Sequence, residues 1–188
     1  MINLTVPLAT LQQLAGSPGE AAGYGPVAAA TAQALACAAA RHPATRWQLT
    51  VTGPDGRAVA TGAARGRAIP AGGWTVTVTP ITSGGCGHHR QEPGYRPSPA
   101  LARLIRTRNT TCTFPGCRRP ARRCDLDHTV PYENGGRTCE CNLAPLCRRH
   151  HQVKQAEGWT LTQPAPGVLV WLTPAGRRYT TLPSQHPT

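Results

Sequence analysis

Cys112-Thr-Phe-Pro-Gly-Cys117, Cys124-Asp-Leu-Asp127-His128-Thr-Val-Pro131 and Asn142-Leu-Ala-Pro-Leu-Cys147-Arg-Arg-His150-His151-Gln-Val-Lys154 are three pieces of one stretch, with Gly135-Gly136 between the second and the third. Metal-ligand residue types stand here at metal-ligand spacings. Cys112 and Cys117 are separated by four residues, and Cys147 and His150 by two. A loop holding Pro115-Gly116 can turn tightly enough to point both sulfurs inward. Cys147 and His150, three apart at the start of a helix, project from neighbouring positions on one face. Three cysteines and one histidine make a common closed structural zinc set. The alternatives are reduced thiols without metal, or a disulfide between Cys112 and Cys117.

The rest of the chain makes a staple necessary. Its 188 residues allow one or two domains, but 20 Gly, 19 Pro, one Phe and one Met are a poor recipe for one large apolar core. Thin cores are held by disulfides or metal, and eight cysteines could supply either. Residues 1–7 have no basic cluster leading into a long apolar run, so no signal peptide is expected. The longest apolar candidate, 27–40, is Ala-rich and too short to span a membrane. A cytoplasmic chain without membrane association is the expectation, and there close-spaced Cys and His read as zinc more readily than as disulfide.

Net charge is +12, and Lys154 is the sole lysine among 20 basic residues. Arginine suits bidentate phosphate recognition. Arg96, Arg103, Arg106, Arg108, Arg118, Arg119, Arg122 and Arg123 fall between Pro93 and Cys124 without one acidic residue. That local field points to a polyanion, most simply nucleic acid. The best phosphate contacts are Arg118, Arg119, Arg122 and Arg123, with Arg148 and Arg149 on the helix; the plain alternative is a solvated basic face.

Within the stretch, 124–130 reads as a strand ended by Pro131. Gly135-Gly136 turns the chain, and Asn142 opens a helix as its N-cap, running to about Lys154. His151 follows His150 and so points about 100° further round that helix. It faces away from the zinc and towards the hairpin. Asp127 and His151 become candidate ligands for a second, hard divalent ion with open positions, and His128 remains nearby as a base without metal.

Taken together, L-D-H-x-x-P, G-G and N-L-x-x-L-C-x-x-H-H-x-x-K resemble the HNH endonucleases, the ββα-metal or His-Me finger group. The wider stretch is similar to the zinc-containing HNH proteins that occur in many copies in actinobacteria, behind a longer region of unknown function. The resemblance covers 93–182. It implies that His128 is the general base, that Asn142 orients it through a hydrogen bond, and that Asp127 and His151 hold one Mg2+ or Mn2+ on the scissile phosphate. It implies structural Zn2+ at Cys112, Cys117, Cys147 and His150, and double-stranded DNA as the partner. Arg90 departs from the pattern, since the related proteins tend to carry a further His there.

Outside this stretch, 2–6, 47–52, 57–61 and 74–79 alternate like strands, with Pro54-Asp55-Gly56 as a turn, and 8–14 and 27–41 read as helical. Cys37 is expected as a buried small residue. Residues 86–98 read as a linker in which Cys86, His88 and His89 lack a second ligand pair spaced to complete a site. Residues 99–108 form a short helix with Leu101, Leu104 and Ile105 as its apolar face and the arginines elsewhere. Cys124 and Cys139 could face each other across the hairpin. After Lys154 come three short strand patterns, 159–162, 168–172 and 178–181, read as a meander.

The fold class expected is therefore α+β. A small α+β segment, 1–85, reads as the remnant of a longer upstream region. The linker follows it, then a ββα-metal finger stapled by zinc and followed by the meander, 99–182, and then a disordered tail, 183–188. The function expected is a metal-dependent HNH endonuclease hydrolysing phosphodiester bonds in DNA. The alternative is a catalytically inactive, zinc-stapled nucleic-acid-binding module. A protein-interaction zinc module is a third reading, which leaves the basic stretch without a purpose.

Overall fold

The computed structural model describes residues 4–7, 10, 16–21, 24–65 and 77–186. Among these the architecture is mixed α+β, with small antiparallel sheets and few helices. β1 (Leu4–Thr5), β2 (Gly19–Ala21) and β3 (Gly25–Val27) form one sheet, and α1 (Ala29–Ala40) follows it. The expected helix of 8–14 lies outside the described residues except at Thr10, as do 2–3 of the first strand pattern and 74–76 of the later one. Cys37 is exposed, contrary to expectation, because only Ala32 of α1 is buried.

β4 (Arg46–Thr52) and β5 (Ala58–Arg65) form the hairpin expected around Pro54-Asp55-Gly56. Gly56 takes the left-handed conformation (φ +73°), and the Asp55 carboxylate accepts from the Arg57 amide at 3.1 Å. β6 (Val78–Pro80) extends the sheet along β5.

α2 (Pro99–Arg108) begins where a capping serine and a first-turn proline place it: Ser98 Oγ accepts from the Leu101 amide at 3.2 Å. Leu101, Leu104 and Ile105 pack with Ile81 and Leu143, so α2 joins the β4–β6 sheet to the segment around Leu143. Arg108 sits on that buried face with 2% of its surface exposed. It stands seven positions after Leu101, which returns it to the apolar stripe. This corrects its place in the expected basic field.

β7 (Asp125–His128) pairs antiparallel with β8 (Leu143–Leu146), in register Asp127 with Ala144 and His128 with Leu143. α3 (Arg148–Gln155) follows at once. Asn142 is thus not a helix cap, and the helix starts five residues later than expected, with Cys147 as its N-cap and Arg148 as its first residue. Leu143–Leu146 is buried at all four positions, and Pro145 would have removed a donor from a helix interior. The meander of β9 (Thr160–Ala165), β10 (Val168–Leu172) and β11 (Arg178–Thr181) covers the far side. Its Leu161, Leu169 and Trp171 close over Cys112, Cys124, Ala144, Leu146 and Cys147 in one core cluster.

Residues 183–186 make backbone contacts with the body of the chain. Ser184 donates its amide to Arg108 O at 2.9 Å, and His186 donates its amide to Gly56 O at 2.8 Å. No helix of the described residues is long and apolar enough to cross a membrane.

Candidate metal centres and the adjoining groove

The outer four ligands come together. Phe114-Pro115-Gly116-Cys117 is a tight turn closed by Cys117 N to Phe114 O at 3.0 Å, with Gly116 at φ +72°. It brings the Cys117 sulfur back towards Cys112. Cys147 caps α3, and His150 stands one turn in. The His150 Nδ1 lies 3.4 Å from the Cys112 sulfur and 3.3 Å from that of Cys147, and all four ligand atoms lie within 4.8 Å of one another. Zn–S bonds of about 2.3 Å and Zn–N bonds of about 2.0–2.1 Å at tetrahedral angles put ligand atoms about 3.5–3.8 Å apart. The set could therefore hold a metal such as zinc. Phe114 stacks on the imidazole of His150 (3.8 Å, 9°) and covers one face of the ring. Burial pushes the Cys112 thiol up to about 12 and lowers the pKa of His150, so ion binding here displaces protons from sulfur. Cys124 lies in the same core outside the set, its sulfur 3.5 Å from Pro120 O.

His151 points the other way round the helix, as expected. Its Nε2 is 3.1 Å from Asp127 Oδ1, while Lys154, one turn on, places Nζ 2.5 Å from Asp127 Oδ2 and 2.6 Å from His128 O. Asp127 is thus held between two groups on one face of α3.

His128 is the next residue on the strand and is 3% exposed. Tyr95 stacks on its ring at 5.1 Å, and Tyr132 meets it edge-on at 5.6 Å. Its Nε2 is 2.8 Å from Thr138 Oγ1, and that hydroxyl donates to Tyr95 O at 3.3 Å. A threonine has one hydroxyl proton, so the oxygen that has given it to Tyr95 accepts from Nε2–H. The lone pair of the neutral ring is then at Nδ1. Burial lowers the pKa of His128, opposed by the Asp127 charge and aided by Lys154, which favours the neutral ring.

Asn142 does not bond to the His128 ring. Its Oδ1 accepts from the Val130 amide at 2.8 Å, and its Nδ2 donates to Val130 O and Arg137 O at 3.0 Å each. It braces the backbone two residues beyond His128 instead of the imidazole itself. Gly136 belongs to the same brace: a Cβ there would lie 1.8 Å from Val130 O. Gly136→Ala is expected to force the loop off Asn142 and cost about 1–3 kcal/mol. An unchanged urea midpoint would contradict that close approach.

A second four-ligand set stands where the sequence reading found none. Cys86, His88, Cys139 and Cys141 have ligand atoms within 4.8 Å of one another and could also hold a metal. The Cys86 sulfur is 3.6 Å from that of Cys139, and the Cys141 sulfur is 3.5 Å from His88 Nδ1. Cys139 therefore faces Cys86, not Cys124.

Asp127 and His151 lie in an open groove of about 520 Å3, lined also by Tyr95, Arg96, Arg106 and Arg148. Arg148 reaches Asp125 at 3.5 Å, an exposed pair of little energetic weight. Arg118, Arg119, Arg122, Arg123 and Arg149 are exposed but do not line this groove.

No family model matches the chain, and no solved structure matches it. It is similar to the Mycobacterium tuberculosis (strain ATCC 25618 / H37Rv) protein described as uncharacterized protein Rv3776, 46% identical over 110 residues, or 54% of this chain and 21% of that one. It is also similar to uncharacterized protein Rv2100 of the same strain, 46% identical over 93 residues, or 49% of this chain and 17% of the other. A third, uncharacterized protein Rv1128c, is 32% identical over 77 residues, 41% of this chain and 17% of its own length. The chain thus spans about a fifth of the length of the curated relatives it matches.

Several residues around these centres escaped the sequence reading. Thr138 and Tyr95 set the imidazole, and Lys154 ties α3 to β7. The second ligand set carried a readable signal in Cys86-x-His88 and Cys139-x-Cys141, two short pairs of the same spacing.

Proposed function

We propose that this chain is a divalent-metal-dependent endonuclease of the HNH, ββα-metal kind that hydrolyses phosphodiester bonds in double-stranded DNA. The observation that carries the reading is the Asp127–His151 pair, 3.1 Å apart on the floor of an arginine-lined groove, with His128 next along the strand. Neighbouring ligand positions of an octahedral ion bonded at about 2.1 Å are about 3 Å apart, so one carboxylate oxygen and one imidazole nitrogen here fit a hard divalent ion such as Mg2+ or Mn2+. When bound, such an ion supplies positive charge to the oxygens of the scissile phosphate. The chain's own residues do the rest. Arg96, Arg106 and Arg148 attract and seat the backbone phosphates. Thr138 and Tyr95 hold the imidazole in one tautomer, and Nδ1 of His128 takes the proton from the attacking water. Asn142 acts at one remove by fixing the loop that follows His128. The Cys112, Cys117, Cys147 and His150 zinc is structural and holds α3 against the ribbon.

A second reading, a zinc-stapled nucleic-acid-binding module without catalysis, draws on two observations. Lys154 already neutralises Asp127, and His128 is covered by Tyr95. Supercoiled plasmid separates the two. Nicking that needs added Mg2+ or Mn2+ and disappears in His151→Ala supports the enzyme, whereas DNA retention without nicking in any of these metals supports the binder. The adjacent histidines then fail differently. His150→Ala is expected to lose one zinc and its melting transition. His151→Ala is expected to keep both zinc content and Tm while nicking falls at least about 100-fold. Parallel loss of zinc in the two variants would remove the division of labour.

A further inference from the structure

We propose that Cys86, His88, Cys139 and Cys141 bind a second structural Zn2+ ion, which clamps the connector before α2 to the loop that carries Thr138 and Asn142. Geometry is the first support. Two cross-contacts, 3.6 Å between sulfurs and 3.5 Å from sulfur to Nδ1, match the edges of a tetrahedral zinc site of three thiolates and one imidazole. Thiolates select a soft or borderline ion over Mg2+. A disulfide between Cys86 and Cys139 would leave the convergence of Cys141 and His88 on the same point without a cause.

Backbone conformation is the second support. His88 is the non-glycine residue with positive φ (56°) among the described residues. An L side chain there costs about 1–2 kcal/mol and persists where its surroundings over-determine it. Bound metal would do so, because this conformation is the one that delivers Nδ1 to the sulfurs.

Charge is the third. Arg108 is buried, and its guanidinium bonds to neutral acceptors: Asn109 Oδ1 at 3.0 Å, Glu140 O at 2.8 Å and Leu143 O at 3.0 Å. The nearest carboxylate, Glu140, is already engaged by Arg90 at 2.7 Å. A buried cation needs a counter-charge. Its guanidinium donates to the backbone carbonyl of Glu140, the residue between Cys139 and Cys141, so Arg108 stands beside this ligand set. Zn2+ with three thiolates and a neutral imidazole carries one net negative charge. Arg108 would then be the counter-charge of the zinc centre, as Arg90 is of Glu140.

The clamp acts on the segment beside His128. Cys139 follows Thr138, Cys141 precedes Asn142, and the connector also pairs directly through Glu92 N to Thr138 O at 2.9 Å. The ion count itself does not depend on the nuclease reading.

The test is the metal content of the purified 188-residue chain, prepared reduced and zinc-replete, measured by plasma mass spectrometry beside Cys86→Ala and Cys147→Ala. Two zinc ions per wild-type chain are expected, with one remaining in Cys86→Ala. One ion in the wild type, or two in Cys86→Ala, overturns the proposal. Should Cys86→Ala be insoluble, Co2+ titration of the metal-stripped wild type decides the matter. Visible bands of tetrahedral cobalt–thiolate type that saturate at two ions support it, and saturation at one overturns it. Alkylation followed by mass spectrometry covers the oxidised alternative, since a Cys86–Cys139 disulfide beside a single zinc also overturns it. The clamp has its own readout in trypsin cleavage after Arg90. Cleavage is expected to accelerate at least about tenfold in Cys86→Ala, and an unchanged rate would remove the clamping role.

Discussion

A Cys147→Ala protein is expected to lose the ion held with Cys112, Cys117 and His150, and with it cooperative melting. Cys147 contributes to a Cys/His set that could hold zinc, to the start of α3 and to the core cluster under Trp171. Binding of structural zinc is worth roughly 10–16 kcal/mol in small domains at neutral pH, against a total stability of about 5–15 kcal/mol for an ordinary domain. Packing around the site cannot offset such a loss, since the aromatic content of the whole chain is 5%. The control is Cys124→Ala, a cysteine buried in the same core but outside the ligand set. Removing one sulfur from the core is expected to cost about 1 kcal/mol and leave the zinc content unchanged. Zinc per chain and near-ultraviolet circular dichroism on heating read both variants. Normal melting of Cys147→Ala with undiminished zinc would remove the site.

The second large effect is on chemistry. His128→Ala is expected to lower DNA cleavage by about 100- to 10,000-fold, the usual contribution of a positioned general base. Zinc content should not change, because the imidazole touches Tyr95, Tyr132 and Thr138 and no member of either Cys/His set. Truncation also leaves the Thr138 oxygen without the Nε2–H donor, while its proton stays on Tyr95 O, so the melt is expected to shift by about 1–3 kcal/mol of stability. Folded protein that has lost cleavage is the expected pair of results. A variant that cleaves within a few-fold of wild type would mean that another group takes the proton.

What the sequence disclosed follows from how local each signal is. The turn at Pro115-Gly116, the Ser98-Pro99 helix start and the three meander strands are each specified within a few neighbouring residues, and each stands where it was expected. The convergence of Cys112, Cys117, Cys147 and His150 was legible because each pair is close in sequence. The second set was missed because its two halves lie 53 residues apart and only the folded chain brings them together. Leu143–Leu146 was misread because an N-cap residue type, Asn142, precedes it, although Pro145 inside the segment opposed a helix. Complete burial on both faces overrode the local cue. Arg108 was placed on the surface by residue type, while its position seven residues after Leu101 assigned it to the core. The role of Asn142 depends on the Val130 backbone across the hairpin, a contact that spacing alone does not specify.

The central claim is that the groove beside Asp127, His128 and His151 hydrolyses DNA. Its most direct test is conversion of supercoiled plasmid to open circles by zinc-replete protein with Mg2+, Mn2+ or EDTA, beside His128→Ala at matched zinc content. Nicking by the wild type is expected to require added divalent ion and to fall at least about 100-fold in the variant. Equal conversion by the two proteins, or no conversion by the wild type in either metal, would contradict it.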